Sequence, residues 1–296
     1  MQGKGLTVSN EQNAESFLEN VGYFRFKIYL WPFFNSTQSS YEAGSTFEQG
    51  IELYRFDEAL RNFLFSVICR VEIKLRSKLD QVITAHTNNP FWYLDDNLFI
   101  PSKLYSIDGI RANLSSSFQQ SKDSFSEHFK KHYFNASNVH FKQLPPFWVI
   151  SELATFGQIK TLYSSLNKAL FQGAQNKNKL NTLAHDFGAK NFKELNSWII
   201  AIRDVRNRCA HHARVWNANH RQASGIVNKL GIEFRPENSN KIYLFCILLN
   251  LINDQLSMGF RVKETLQNLF LAYPTAQVKA SSAGFPLDWI ADPFWN

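Results

Sequence analysis

Phe56-Asp57-Glu58-Ala59-Leu60-Arg61-Asn62-Phe63-Leu64-Phe65-Ser66-Val67-Ile68-Cys69-Arg70-Val71-Glu72-Ile73-Lys74-Leu75-Arg76-Ser77-Lys78-Leu79 lies inside a longer stretch, residues 47–85, that contains no proline. Phe56, Leu60, Phe63, Leu64, Val67, Val71, Leu75 and Leu79 recur at steps of three and four. That period puts side chains on one face of an α-helix and not on one face of a strand. Arg61, Arg70, Lys74 and Lys78 mark the opposite face. The spacing predicts a helix over 47–85, ended by Asn88-Asn89-Pro90.

The same reading extends in both directions. Residues 1–12 are polar and read as a mobile lead-in, and a helix is expected from Ala14 to Val21. The aromatic run from Tyr23 to Phe34 alternates partly like a strand but is read as a buried helix that Pro32 ends. Asn35 to Gly44 reads as a polar loop, and the Ser/Lys-rich region around 112–131 as mixed. Pro145-Pro146 opens a helix over 147–166, and two further helices are expected at 178–187 and 191–214. Residues 235–240 read as a loop, Ile242 to Phe270 as one long apolar-faced helix, and the segment from Pro274 as a Pro/Ser/Gly-rich tail. No repeat of fixed period and no linker between two cores is visible. The expected organisation is a flexible N-terminus (1–12), one helical domain (13–272) and a C-terminal tail (273–296).

Composition agrees with an all-α fold. Of 296 residues, 44% are hydrophobic and 27 are phenylalanine, while glycine (13) and proline (9) are scarcer than an all-β sandwich would need. The formal charge of +7 suits a polyanionic partner, nucleic acid before membrane, and suits equally a basic protein with no such partner. Cys69, Cys209 and Cys246 are odd in number and far apart. This argues against a disulfide framework or a cysteine zinc site and fits a reducing compartment. The polar N-terminus lacks an apolar signal core, and the apolar run from Ile242 to Ile252 is too short to span a bilayer. The expectation is a soluble, cytoplasmic protein without membrane association.

The chemistry concentrates in Trp198-Ile199-Ile200-Ala201-Ile202-Arg203-Asp204-Val205-Arg206-Asn207-Arg208-Cys209-Ala210-His211-His212-Ala213-Arg214-Val215-Trp216. On a continuous helix, Trp198, Ile202, Val205, Cys209 and Trp216 form the core stripe. Arg203, Asn207, His211 and Arg214 fall together elsewhere, with Arg206 between the two faces and His212 at the border of the apolar stripe. RNA cleavage through the ribose 2′-OH needs a base, an acid and cationic donors for the phosphate. Histidine serves the first two roles near neutral pH, and arginine grips phosphate oxygens. Asn207, four residues before His211, is placed to orient it. The bland alternative is a solvated arginine face beside a structural histidine. No acidic residue or further histidine stands beside His211-His212 at helical metal-ligand spacing, and no metal or cofactor is expected.

Arg206 and His211 match the R-x(4–6)-H motif of HEPN ribonucleases, with a polar residue directly after the arginine. The longer string from Arg206 to Asn217 resembles the signature of the Abi family, the AbiD/AbiF-like abortive-infection proteins of bacteria. Tyr23-Phe24-Arg25-Phe26 with Tyr29-Leu30-Trp31-Pro32-Phe33 is similar to that family's N-terminal aromatic pattern, with Phe24, Phe26, Lys27 and Ile28 as departures. Phe56-Asp57-Glu58-Ala59-Leu60-Arg61 and Val71-Glu72-Ile73-Lys74-Leu75-Arg76 look like its central helix, and Pro146-Phe147-Trp148 through Glu152 and Phe156-Gly157 like its Pro-x-Trp segment.

The resemblance implies an all-α, HEPN-like helical bundle with additional peripheral helices. It implies a toxin-like, metal-independent endoribonuclease of phage defence, with Arg206, His211 and Asn207 as catalytic residues. Arg203, Arg214 and His212 are the candidates for holding RNA or phosphate. His212 is also expected to be mainly structural, and Arg25 to be buried in a pair with Glu72 or Glu152. Because HEPN sites combine two motifs and this chain has one convincing copy, a homodimer is implied. Arg214 to His220 fits the length rule, but Val215 follows the arginine. The competing expectations are a non-catalytic protein that holds a structured small non-coding RNA, and a partner-binding protein whose arginine helix forms an interface.

Overall fold

The computed structural model describes residues 2–101, 106–132, 144–174, 177–227, 240–292 and 295, and its centre is α3 (Phe47–Thr87), 41 residues long. Local chemistry sets both ends of α3. The Thr46 hydroxyl accepts the Gln49 N–H while the Gln49 side chain accepts the Thr46 N–H, satisfying two donors that a helix start leaves open. Asn88 takes a left-handed φ of 52° at the other end, a conformation asparagine tolerates better than most residues.

Phe56, Leu60, Leu64, Val67, Val71, Leu75 and Leu79 are buried as their spacing predicts. The opposite face is not wholly polar surface. Arg61 is 4% exposed and forms an ion pair with the fully buried Asp57. The reason is position in the bundle. Helices α6 (Phe147–Ile150), α7 (Phe156–Ser165), α8 (Lys179–Asp186), α9 (Phe192–Ala210), α10 (Ile242–Gln255), α11 (Val262–Ala272) and α12 (Pro274–Val278) all touch α3, so it is covered on more than one side.

At the N-terminal side, α1 (Glu11–Val21) leads into α2 (Tyr23–Phe26). The aromatic run expected as one helix then breaks into 3-10 turns at Lys27–Tyr29 and Trp31–Phe33. Pro32 cannot continue an α-helical ladder. The shorter turns also aim Phe26, Tyr29, Leu30 and Phe33 into the core. A Cβ added at Gly50 would lie 2.5 Å from Leu30 Cδ2, so this segment is seated almost on the α3 backbone. Part of the expected loop 35–44 is a small antiparallel pair, β1 (Phe34–Asn35) and β2 (Ser40–Tyr41), with Phe34 opposite Tyr41. The fold is all-α apart from this pair among the described residues.

Other departures have local causes. The helix expected over 147–166 is interrupted near Ala154, where Thr155 caps α7 with its own box to Gln158. The helix expected over 242–270 is split, because the Asn253 side chain bonds both the N–H and the carbonyl of Phe260 and Gly259 takes φ 80°. Two helices, α4 (Ile107–Gln120) and α5 (Ser124–His132), occupy the region read as mixed. Leu6 is buried and the Thr7 N–H donates to the Ser45 carbonyl, so part of the expected lead-in lies against the start of α3. The C-terminal segment also packs inward. Phe285 and Trp289 stand 5.0 and 5.8 Å from Phe270, ring centre to ring centre. Of the loop expected at 235–240, residues 235–239 lie outside the described residues. Among the described residues no helix is long and apolar enough to cross a membrane.

Candidate active site at the end of helix nine

Helix α9 is capped by Asn191, whose side chain accepts the Glu194 N–H, and buries Trp198, Ile202, Val205 and Cys209 as its stripe predicts. It ends sooner than expected. Ala210 is its last residue and His211 is the cap. The His212 N–H donates to the Cys209 carbonyl and the Ala213 N–H to the Arg208 carbonyl. This is the closing pattern that normally places glycine in the left-handed position. Here that position holds His212, with φ 54°. Helical extrapolation therefore fails beyond residue 210. Arg214 does not continue the row of Arg203, Asn207 and His211, because the chain has already turned.

The turned segment is clamped. One Asp57 carboxylate oxygen accepts the Val215 N–H at 3.0 Å and the Trp216 N–H at 2.7 Å. The other accepts the Tyr29 hydroxyl at 2.7 Å and the Arg61 guanidinium. Burial raises the Asp57 carboxyl, against the pull of Arg61, the Tyr29 hydroxyl and the two amides. Burial and the neighbouring Asp57 raise the Tyr29 phenol. Arg208 donates to the Asn219 carbonyl at 3.1 Å and pairs with Asp204 at 3.5 Å. Arg25 donates to the His212 carbonyl at 2.6 Å. A segment without regular structure is thus tied to α2, α3 and α9.

His211 and His212 project from this clamped turn and are both exposed. Arg206, five residues before His211 and roughly 7.5 Å back along the helix axis, is half-buried. Its Nε lies 3.7 Å from Glu72 Oε2, and its guanidinium sits 5.7 Å above the centre of the Phe65 ring. Glu72 also pairs with Arg76, which donates to the carbonyls of Ser151 (3.0 Å) and Ala154 (2.7 Å). Glu72 therefore links α3 to the motif helix. Asn207 meets His211 through the main chain, its carbonyl accepting the His211 N–H at 3.0 Å.

The remaining candidates separate. Arg203 is exposed and lines a groove with Ser106, Asn113, Thr155 and Gly157. Arg214 is half-buried, and burial lowers its basicity against the influence of Tyr29 and Asp57. Arg25, expected in a buried pair with Glu72 or Glu152, is exposed and serves the His212 carbonyl instead. His220 is buried. Its Nε2 donates to the Val215 carbonyl at 2.8 Å, and desolvation pushes it down to about 4. It is a neutral structural histidine, in keeping with the doubtful fit of residues 214–220 to the motif.

Asp57 is the residue that sequence reasoning missed. Its signal was faint: an i, i+4 carboxylate–arginine pair directly beside Phe56 and Leu60 of an apolar stripe. Among the described residues no group of three or more His, Cys, Asp or Glu side chains is placed to hold a metal ion. What the turn offers is an exposed imidazole on a fixed backbone, a second imidazole beside it, and a guanidinium held by a carboxylate.

A family model described as Abi-like protein matches residues 16–217, more than half of the chain. The matched span runs from α1 through the segment clamped by Asp57. No curated protein and no solved structure matches the chain.

Proposed function

Because the chain belongs to the Abi-like protein family, we propose that it is a HEPN-type endoribonuclease of abortive-infection phage defence, with His211 and Arg206 at its centre. The observation that carries this reading is the exposure of His211 on a turn that Asp57, Arg208 and Arg25 hold still. A histidine kept only for packing would be covered, as His220 is. Fixed placement also removes part of the entropic barrier to reaction.

In the proposed reaction an imidazole takes the proton of the ribose 2′-OH. The 2′-oxygen attacks phosphorus, the bond to the 5′-oxygen breaks, and a second imidazole returns a proton to that oxygen. The products are a 2′,3′-cyclic phosphate and a 5′-OH. Arginine stabilises charge on the non-bridging oxygens. Arg206 takes this role, oriented by Glu72, while Asn207 fixes the cap on which His211 sits. Arg214 and His212 flank the site, and Arg203 holds strand farther along α9. Two copies of the chain would bring two His211 side chains together, so the active form is a homodimer with its two-fold axis near the turn.

A second reading has its own support. The Arg206 Nε is buried and faces Glu72. Arg206 would then brace the helix, and the protein would hold a structured small RNA without cutting it.

The deciding experiment incubates the wild type and the His211→Ala and Arg206→Ala variants with total cellular RNA in EDTA and maps new 5′ ends. Cleavage to 5′-OH ends by the wild type alone supports the nuclease. RNA retention by all three proteins with no new ends supports the binding protein.

A further inference from the structure

The segment that supplies Arg25 also carries an unusual surface. Phe24 is 80% exposed, Trp31 60% and Tyr23 47%. Side chains of this size are among the most favourable to bury, and clustered exposure of this kind marks an interaction surface. The three rings are not scattered. Tyr23 and Phe24 stand 6.2 Å apart, and Trp31 stacks on Phe34 at 5.5 Å and 28°. Phe34 meets the edge of Tyr41 at 5.2 Å. The two groups lie on one short continuous segment, α2 followed by the 3-10 turns at Lys27–Tyr29 and Trp31–Phe33 and by β1.

Cations line this band. Lys27 Nζ lies 4.1 Å from the centre of the Phe24 ring and 5.9 Å from that of Tyr23, and Lys4 Nζ lies 5.5 Å from that of Phe34. The acidic neighbour of Tyr41, Glu42, is engaged by Lys279 at 3.0 Å. The band borders the motif turn, because Arg25 lies between Phe24 and Phe26 in sequence and bonds the His212 carbonyl.

We propose that Tyr23, Phe24, Trp31, Phe34 and Tyr41, with Lys4 and Lys27 beside them, are a stacking platform for unpaired bases of single-stranded RNA leading to the His211 turn. The inference rests on the RNA reading above and narrows it to strands whose bases are free. Aromatic faces accept any base, and interleaved cations follow the phosphates. A duplex keeps its bases stacked inside and offers these rings nothing to receive. The chemistry also differs from that of Arg203 and Arg214, which address phosphate alone.

The test uses the full chain and an oligoribonucleotide of about twelve nucleotides, carrying 2-aminopurine, whose fluorescence falls on stacking. A blunt duplex of the same sequence is the comparison. The expected result is tighter binding of the single strand, with quenching. Phe24→Ala and Trp31→Ala should each weaken binding roughly tenfold; Phe24→Ala should leave the thermal midpoint unchanged, since that ring is 80% exposed, while Trp31→Ala also gives up the stack on Phe34. Lys27→Gln should lower the salt slope of binding by about one.

Binding and quenching by the Phe24 and Trp31 variants at wild-type levels would overturn the platform. So would absence of single-strand binding, including the case in which these residues instead control adsorption to phosphatidylglycerol vesicles. The nuclease reading fails separately, when His211→Ala cuts as the wild type does or when bound RNA is never cut.

Discussion

Replacing Asp57 by asparagine tests whether the motif turn is held from within the core. The substitution keeps side-chain volume but leaves one acceptor oxygen where there were two. Asp57 receives the amides of Val215 and Trp216 on one oxygen and Tyr29 with Arg61 on the other. Whichever way the new amide turns, its NH2 group faces donors on one side. Arg61, 4% exposed, also loses its counter-charge. Breaking a buried ion pair from one side costs about 3–5 kcal/mol, and each unsatisfied buried donor about 1–3 kcal/mol. These terms overlap, so we expect a net loss of roughly 4 kcal/mol, a large share of the stability of an ordinary domain.

The measurement is urea unfolding followed by tryptophan fluorescence, since Trp216 is buried against Phe56. Removing both partners, as Asp57→Asn with Arg61→Met, should recover about 2 kcal/mol relative to strict additivity. Amide hydrogen exchange in residues 213–218 should accelerate in Asp57→Asn before global unfolding does. A loss below about 1 kcal/mol, or additive behaviour of the two substitutions, would refute the clamp.

Three other outcomes follow from the same geometry. His220 titrates at about 4 when folded against 6.5 when free. The unfolded chain therefore takes up the proton first, and stability is lost as pH falls from 6.5 towards 4. The full loss is roughly 3 kcal/mol, and it should be present in the urea profile of the wild type and missing from that of His220→Gln; parallel profiles would refute it. His212 occupies a left-handed position, so His212→Gly should raise the unfolding midpoint by the equivalent of about 1 kcal/mol while weakening RNA retention on filters; a lowered midpoint would show that its side chain supports the fold. Gly50→Ala should cost about 1–3 kcal/mol in thermal unfolding, because the new methyl group meets Leu30 and Phe26; an unchanged midpoint would mean that the aromatic segment can lift off α3 freely.

Features that depend on near neighbours are legible in the order of residues. Steps of three and four placed α3 and the buried stripe of α9, because helix geometry is set within a turn or two. The dearth of turn residues excluded a large β-structure, and the order of motifs marked the Abi-like family. Which polar groups those helices enclose depends on how they pack together. Arg61 looks like surface in an isolated helix and becomes core when several helices cover α3. Asp57 is a lone carboxylate in sequence and a four-fold acceptor once residues 215 and 216, remote along the chain, are folded against it.

The end of α9 was likewise a tertiary matter. Nothing in the string from Cys209 to Ala213 forbids a helix, and no glycine or proline stands there to stop it. Contacts with Asp57, Arg25 and Asn219 outweigh the helical continuation and set His212 in a left-handed conformation. For the same reason Phe24 and Trp31, indistinguishable in sequence from the buried Phe26 and Tyr29, remain in solvent. Periodicity reports which residues share a side of an element, and long-range packing decides which side is covered.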